Sequence, residues 1–259
     1  MIIYHYYNKN LIKYIFFTYK KNMLISIEGN IGTGKTTLIN FLKEKYKSNI
    51  NIVFIEEPIK EWLDLKDKTG KNILDKFYNS QERWSYTFQM HAFITRAKKI
   101  MNYRYKDKII VIDRSILTDR YVFAELLREQ KKIDDIEWAL YNEWFNWLSN
   151  EFTMIRPVNF IYLKANPQVS YKRIQQRTRD EESSIPISYI VDISNKHDSW
   201  LLSKKNVTVI DANDDFVNNV DTRDNIIKTV SEIINPNLDK ISKSSSESSL
   251  EDMINIVSH

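Results

Sequence analysis

Residues Gly29-Asn30-Ile31-Gly32-Thr33-Gly34-Lys35-Thr36 spell G-x-x-x-x-G-K-[ST], a phosphate-binding loop. An apolar run, Leu24-Ile25-Ser26-Ile27, precedes them, and the spacing from Lys35 to Lys47 predicts a helix after them. Strand, glycine-rich turn and helix in that order are what the chemistry requires. Glycines let successive backbone N–H groups curl around phosphate oxygens, and the helix N-terminus adds partial positive charge. The chain has only four glycines, and three of them are Gly29, Gly32 and Gly34. In such a loop Lys35 reaches the β- and γ-phosphates and the Thr36 hydroxyl ligates a metal. The expected occupant is ATP with Mg²⁺, held over residues 29–37, Thr37 included.

Outward from this loop, strands and helices alternate. Ile52 to Ile55 reads as a second strand, Lys108 to Asp113 as a third, Asn159 to Lys164 as a fourth and Val207 to Asp211 as a fifth. Between them, Glu82 to Tyr103 has helical spacing. Ile136, Leu140, Trp144 and Trp147 recur at helical intervals behind the acids Asp134-Asp135. Pro167 suits the start of a helix, and Ile226 to Ile234 reads as the closing one. Near-continuous apolar strands separated by helices predict an α/β fold, a parallel sheet covered on both faces.

With 259 residues, 42% of them apolar, the chain can bury a sizeable core without staples. There is no cysteine, which excludes disulfides and thiolate metal sites and fits a reducing, cytoplasmic setting. The net charge of +4 suits polyanionic small ligands, and nucleic acid is not an expected partner. No apolar run reaches the roughly 20 residues of a membrane span. Residues 1–22 hold five Tyr and four Lys but no Ser, Arg or acid, so an extension, disordered or untranslated, is expected rather than a mitochondrial targeting peptide. One domain over residues 23–236 follows. Residues 237–259, with six serines between Ser242 and Ser249, are expected to be a disordered tail.

A phosphate loop alone does not name a reaction. The second strand runs into Glu57-Pro58 and then Trp62, and the third into Asp113-Arg114-Ser115. Transfer of a phosphoryl group to a hydroxyl asks for a carboxylate to orient or deprotonate the acceptor, another to hold the metal, and an Arg to balance developing charge. Glu57, Asp113 and Arg114 are placed for these tasks, since open α/β sheets bind ligands at the carboxyl ends of their strands. On the long helix, Gln89, Ala92, Phe93 and Arg96 share one face beside Phe88, which suits a flat, hydrogen-bonding heterocycle.

With these blocks in place, the chain resembles the cellular and viral deoxynucleoside kinase family, in particular its deoxycytidine/deoxyguanosine kinase branch. The likeness covers roughly Met23 to Ile234. It rests on GNIGTGKTT from Gly29, EPIKEW from Glu57, ERWSYTFQ from Glu82, DRSILTDRYVF from Asp113, RIQQRTRDEE from Arg173, HDSWLL from His197 and DANDDF from Asp211.

The resemblance implies a P-loop kinase with a five-stranded parallel sheet, an Arg-rich lid and a dimeric state. It implies transfer of the γ-phosphoryl of ATP to the 5′-hydroxyl of a deoxynucleoside, in nucleotide salvage for DNA precursor supply. Glu57 is similar to the family's general base, and Asp113 and Arg114 to its acid–Arg pair at the metal and phosphoryl group. Gln89 would read the base edge, with Trp62, Phe88 and Phe123 lining it. Tyr78 and Glu182 look like the pair on the sugar 3′-hydroxyl. Arg173, Arg177 and Arg179 resemble the lid over the phosphates, and Asp214, Asp215 and Phe216 the loop at the donor's base. Arg96 and Asp119, with the small Ala92 nearby, stand where this branch carries an Arg–Asp pair, so deoxycytidine and purine deoxynucleosides are expected ahead of thymidine. Asp113 stands where many relatives carry the longer Glu. The rival readings are a thymidylate-type monophosphate kinase, which would need further basic residues for its acceptor phosphate, and a non-catalytic subunit, which would be expected to lose Lys35, Glu57 or the Asp113-Arg114 pair.

Overall fold

The computed structural model of the protein describes residues 23–102, 108–151, 157, 159–177, 179–182 and 185–257, with side chains to residue 239 except those of 102 and 180. The expected extension 1–22 lies outside the described residues. Five parallel strands form one sheet: β1 (Met23–Glu28), β2 (Ile52–Ile55), β3 (Ile109–Asp113), β4 (Asn159–Lys164) and β5 (Val207–Asp211), in the order β2-β3-β1-β4-β5. The five-stranded parallel sheet expected from the sequence is therefore observed.

Period-two alternation divides the core between the two faces. Leu24 of β1 and Ile110 and Ile112 of β3 belong to one apolar cluster, with Phe88, Phe93 and Ile190. Ile25, Ile27, Ile109 and Val111 belong to the other, with Leu38, Ile39, Leu42 and Val230. Each such fully buried side chain contributes about 1.5–3 kcal/mol. In register, Ile27 lies opposite Asp113 and Glu28 opposite Tyr162, so the carboxyl ends of β1 and β3 finish side by side.

The helices are α1 (Lys35–Lys45), α2 (Ile59–Asp64), α3 (Ile73–Asn79), α4 (Gln81–Asn102), α5 (Ile116–Thr118), α6 (Glu125–Glu129), α7 (Asp135–Glu151), α8 (Pro167–Gln176), α9 (Ile187–Leu201) and α10 (Val220–Val257). A π-helical turn, Asp119–Ala124, joins α5 to α6. Asn72 opens α3 with a capping box, accepting from Asp75 N while the Asp75 carboxylate accepts from Asn72 N. None of the helices searched among the described residues is long and apolar enough to cross a membrane.

Two elements show features on which the sequence reading was silent or incomplete. In α7 the buried residues are Tyr141, Phe145 and Ser149, whereas the apolar stripe read from the sequence is exposed: Ile136 by 73%, Trp144 by 49% and Trp147 by 50%. Two apolar stripes share this helix, and only one faces the core. The closing helix continues past Ile234, through Pro236, to Val257. After Pro236 the segment has no Gly and no further Pro, so no strong breaker ends it, and Leu238 still packs in the core.

Candidate active site

The loop between β1 and α1 is held in a shape only glycine allows at two points. Gly32 has φ 82° and Gly34 φ 93°; a Cβ on Gly32 would lie 2.4 Å from Ser170 O, and one on Gly34 would lie 2.6 Å from the Phe216 ring. Asn30 ties the loop to α9, donating from Nδ2 to Ile190 O (2.7 Å) and accepting from Ile31 N (2.8 Å). Thr33 Oγ1 donates to Asn30 O at 3.1 Å. Lys35 Nζ donates to Asn30 O (2.7 Å) and Gly29 O (3.1 Å). Burial first, and Arg114 next, lower its pKa to about 7 against the pull of Asp113 and Glu57.

Thr36 Oγ1 donates to Asp113 Oδ2 at 3.1 Å, while Asp113 Oδ1 is buried without a hydrogen-bond partner. That orphaned oxygen beside a hydroxyl fits Mg²⁺, which keeps waters and binds through one or two carboxylates plus phosphates. Among the described residues no group of three or more His, Cys, Asp or Glu gathers as a metal cage.

Glu57 lies just past β2, and two guanidiniums meet on its Oε1: Arg114 Nη1 at 2.8 Å and Arg96 Nη2 at 3.0 Å. Burial alone would raise its pKa, but Arg114, then Arg96 and Lys35, pull it down to about 2. Arg96 also donates from Nε to Asp119 Oδ2 (2.9 Å) and from Nη1 to Asp113 O (2.7 Å). The predicted Arg96–Asp119 pair is thus present, and both side chains are buried. Arg114 occupies the left-handed region at φ 59°, unusual for a residue with a side chain.

These groups line one cavity together with Trp62, Tyr78, Phe88, Gln89, Ala92, Phe123, Arg177, Arg179 and Glu182. Phe88 stacks on Phe77 (centroids 4.6 Å apart) and meets Trp62 edge-on (5.3 Å). Trp62 is fixed by donating from Nε1 to Thr95 Oγ1 at 3.0 Å. Gln89 Oε1 is buried and has no partner, so the slot contains an uncommitted polar edge. The π-helical turn carries both Asp119 and Phe123, and widened turns of this kind recur at functional sites. Ile59, Leu74, Phe77 and Tyr189 also line the cavity, and sequence reasoning did not single them out. For Phe77 the signal was its place beside Tyr78; for Tyr189 no sequence signal existed.

The three arginines expected to form a lid separate. Arg177 donates from Nε to Glu182 Oε2 at 2.7 Å and Arg179 from Nη1 to Glu182 Oε1 at 3.2 Å, so both sit at the cavity on the carboxylate expected to meet the sugar. Arg173 does not line the cavity. Its guanidinium donates to Ala212 O (2.7 Å), Asn213 O (3.0 Å) and Asp214 O (2.8 Å), pinning the β5 loop. Asp214 and Asp215 are exposed, and Asp215 accepts from Val217 N and Asn218. Phe216 is buried against Gly34. Thr37 is half-buried on α1 and, like Gly29, Asn30, Thr33 and residues 214–216, is not among the residues lining the central cavity.

The family model for deoxynucleoside kinases matches residues 25–235. A probable deoxycytidine kinase of fowlpox virus is 38% identical over 236 residues, covering 87% of this chain and 94% of the viral one. Bovine deoxycytidine kinase is 32% identical over 240 residues, with 81% and 90% covered. The mitochondrial deoxyguanosine kinase of Xenopus laevis is 31% identical over 223 residues, with 75% and 83% covered.

Proposed function

The chain belongs to the deoxynucleoside kinase family, and on that premise we propose that it moves the γ-phosphoryl group of ATP to the 5′-hydroxyl of a deoxynucleoside, serving nucleotide salvage for DNA precursor supply in the cytoplasm. The observation that carries this reading is Glu57, clamped by Arg114 and Arg96 in a cavity lined by Lys35 and Thr36 as well as the aromatic slot.

The base enters between Phe88, Trp62 and Phe123, and Gln89 supplies its open hydrogen-bonding edge. Tyr78 and Glu182 take the sugar 3′-hydroxyl. In this reading the 5′-hydroxyl meets Glu57. The hydroxyl oxygen forms the new P–O bond, the bond from the γ-phosphorus to the β–γ bridging oxygen breaks, ADP leaves, and the hydroxyl proton passes to Glu57. A carboxylate with a pKa near 2 is a weak base, but a loose transition state asks mainly for orientation and charge balance. Lys35 and Arg114 supply that balance, with Arg177 and Arg179 turning from Glu182 to the phosphates. Mg²⁺, held through Asp113 and Thr36, would neutralise the β- and γ-phosphate oxygens when bound.

For the acceptor, deoxycytidine and purine deoxynucleosides rank ahead of thymidine. The buried Arg96–Asp119 pair supports this, since it is polar and space-filling where a thymine methyl would need an apolar wall. The exposed stripe on α7 supports a homodimer. Replacing Glu57 by Gln tests the central assignment. The variant is expected to retain ATP and deoxynucleoside binding, followed by fluorescence titration, while kcat falls by about 10²-fold or more. Unchanged turnover would remove Glu57 from the mechanism.

A further inference from the structure

We propose that Glu28 is a positioning residue for Arg114, acting through Ser115; this deepens the kinase reading and rests on it. Glu28 closes β1, has no exposure to solvent, and immediately precedes the phosphate loop. Its Oε1 accepts from Ser26 Oγ (2.6 Å), Ser115 N (3.1 Å) and Ser115 Oγ (2.9 Å), and its Oε2 from Thr118 Oγ1. None of these partners is a cation. A buried carboxylate with no cation among its hydrogen-bond partners calls for a reason beyond packing, and the cation its charge acts on is Arg114.

The reason lies one residue before Ser115. Arg114 N donates to Ile27 O at 3.0 Å, and Arg114 Nη2 donates to Gly29 O at 3.2 Å. Ile27, Glu28 and Gly29 therefore each take a hydrogen bond from residues 114 and 115. Arg114 sits at φ 59°, and a strained backbone persists only where its surroundings over-determine it. The Glu28 carboxylate anchors the C-terminal side of that strained residue, through Ser115 and Thr118. With this anchor in place the guanidinium reaches Glu57 Oε1 at 2.8 Å. Without it, Arg114 relaxes toward negative φ and its side chain leaves the position where it meets both Glu57 and the transferring phosphoryl group.

The test compares Glu28→Ala, Glu28→Gln, Ser115→Ala and the double variant Glu28→Ala/Ser115→Ala with the unmodified protein, using Mg-ATP and its best deoxynucleoside. Glu28→Ala is expected to lower kcat about a hundredfold and Ser115→Ala about tenfold, with KM for both substrates within about threefold. Glu28→Gln keeps an oxygen for Ser115 and is expected within about fivefold of the unmodified kcat. Because both residues act through one contact, the double variant should be no slower than Glu28→Ala. Multiplying losses, or a kcat in both single variants equal to that of the unmodified protein, would overturn the positioning role. If Glu28→Ala does not fold, Ser115→Ala decides: a reduced kcat at unchanged KM supports the role, and an unchanged kcat overturns it. An unmodified protein without turnover on any deoxynucleoside would overturn the kinase reading and this inference with it.

Discussion

Lys35 rests its ammonium on two carbonyl oxygens of its own loop, and burial followed by Arg114 holds its pKa near 7 instead of 10.5. The sign of the consequence is fixed. Between about pH 7 and 10.5 the unfolded chain binds more protons at Lys35 than the folded one, so stability from this residue rises with pH across that window; below 7 the burden is fully present. Phosphate oxygens restore the charge, so ATP binding at pH 8 should take up about one proton. Calorimetry in buffers of different ionisation heat measures this, and binding without uptake would contradict it. Lys35, Glu57, Asp113 and Arg114 were legible in the sequence because each sits in a local motif. Glu28 and Tyr189 were not, because what they touch is set by register and packing that no short pattern records.

Helix α7 shows how an element can be located from its spacing while the face it buries is left open. Its apolar residues form two stripes: Tyr141 and Phe145 pack inward, while Ile136, Leu140, Trp144 and Trp147 face solvent. Periodicity reports that a helix has an apolar face but not what covers it. Trp144 and Trp147 meet edge-on at 5.7 Å, forming a rigid aromatic ridge suited to a partner surface. Sedimentation of the unmodified protein should give a dimer, and Trp144→Glu/Trp147→Glu should weaken association about a hundredfold or more without loss of helix content. A variant that sediments as the unmodified protein does would place the interface elsewhere. At the other end, Arg173 acts on an element too: by holding three carbonyl oxygens after β5 it fixes the loop that presses Phe216 onto Gly34.

Across the whole molecule, the sheet was readable because strands buried on both faces appear as continuous apolar runs, and the site was readable because it gathers at the ends of three of them. The strand order and the division of Arg173 from Arg177 and Arg179 depend on contacts between distant segments and emerged only in three dimensions. The resulting architecture joins a phosphate loop, a doubly clamped carboxylate and an aromatic slot in one cavity, which is a demanding combination for anything but phosphoryl transfer to a flat-based alcohol. The most direct test is turnover of the purified protein with Mg-ATP against deoxycytidine, deoxyadenosine, deoxyguanosine and thymidine separately. The expected result is turnover, with kcat/KM for deoxycytidine or a purine deoxynucleoside exceeding that for thymidine by about tenfold or more. ATP binding without turnover of any of the four would contradict the kinase assignment, and thymidine as the best acceptor would contradict the role given to Arg96 and Asp119.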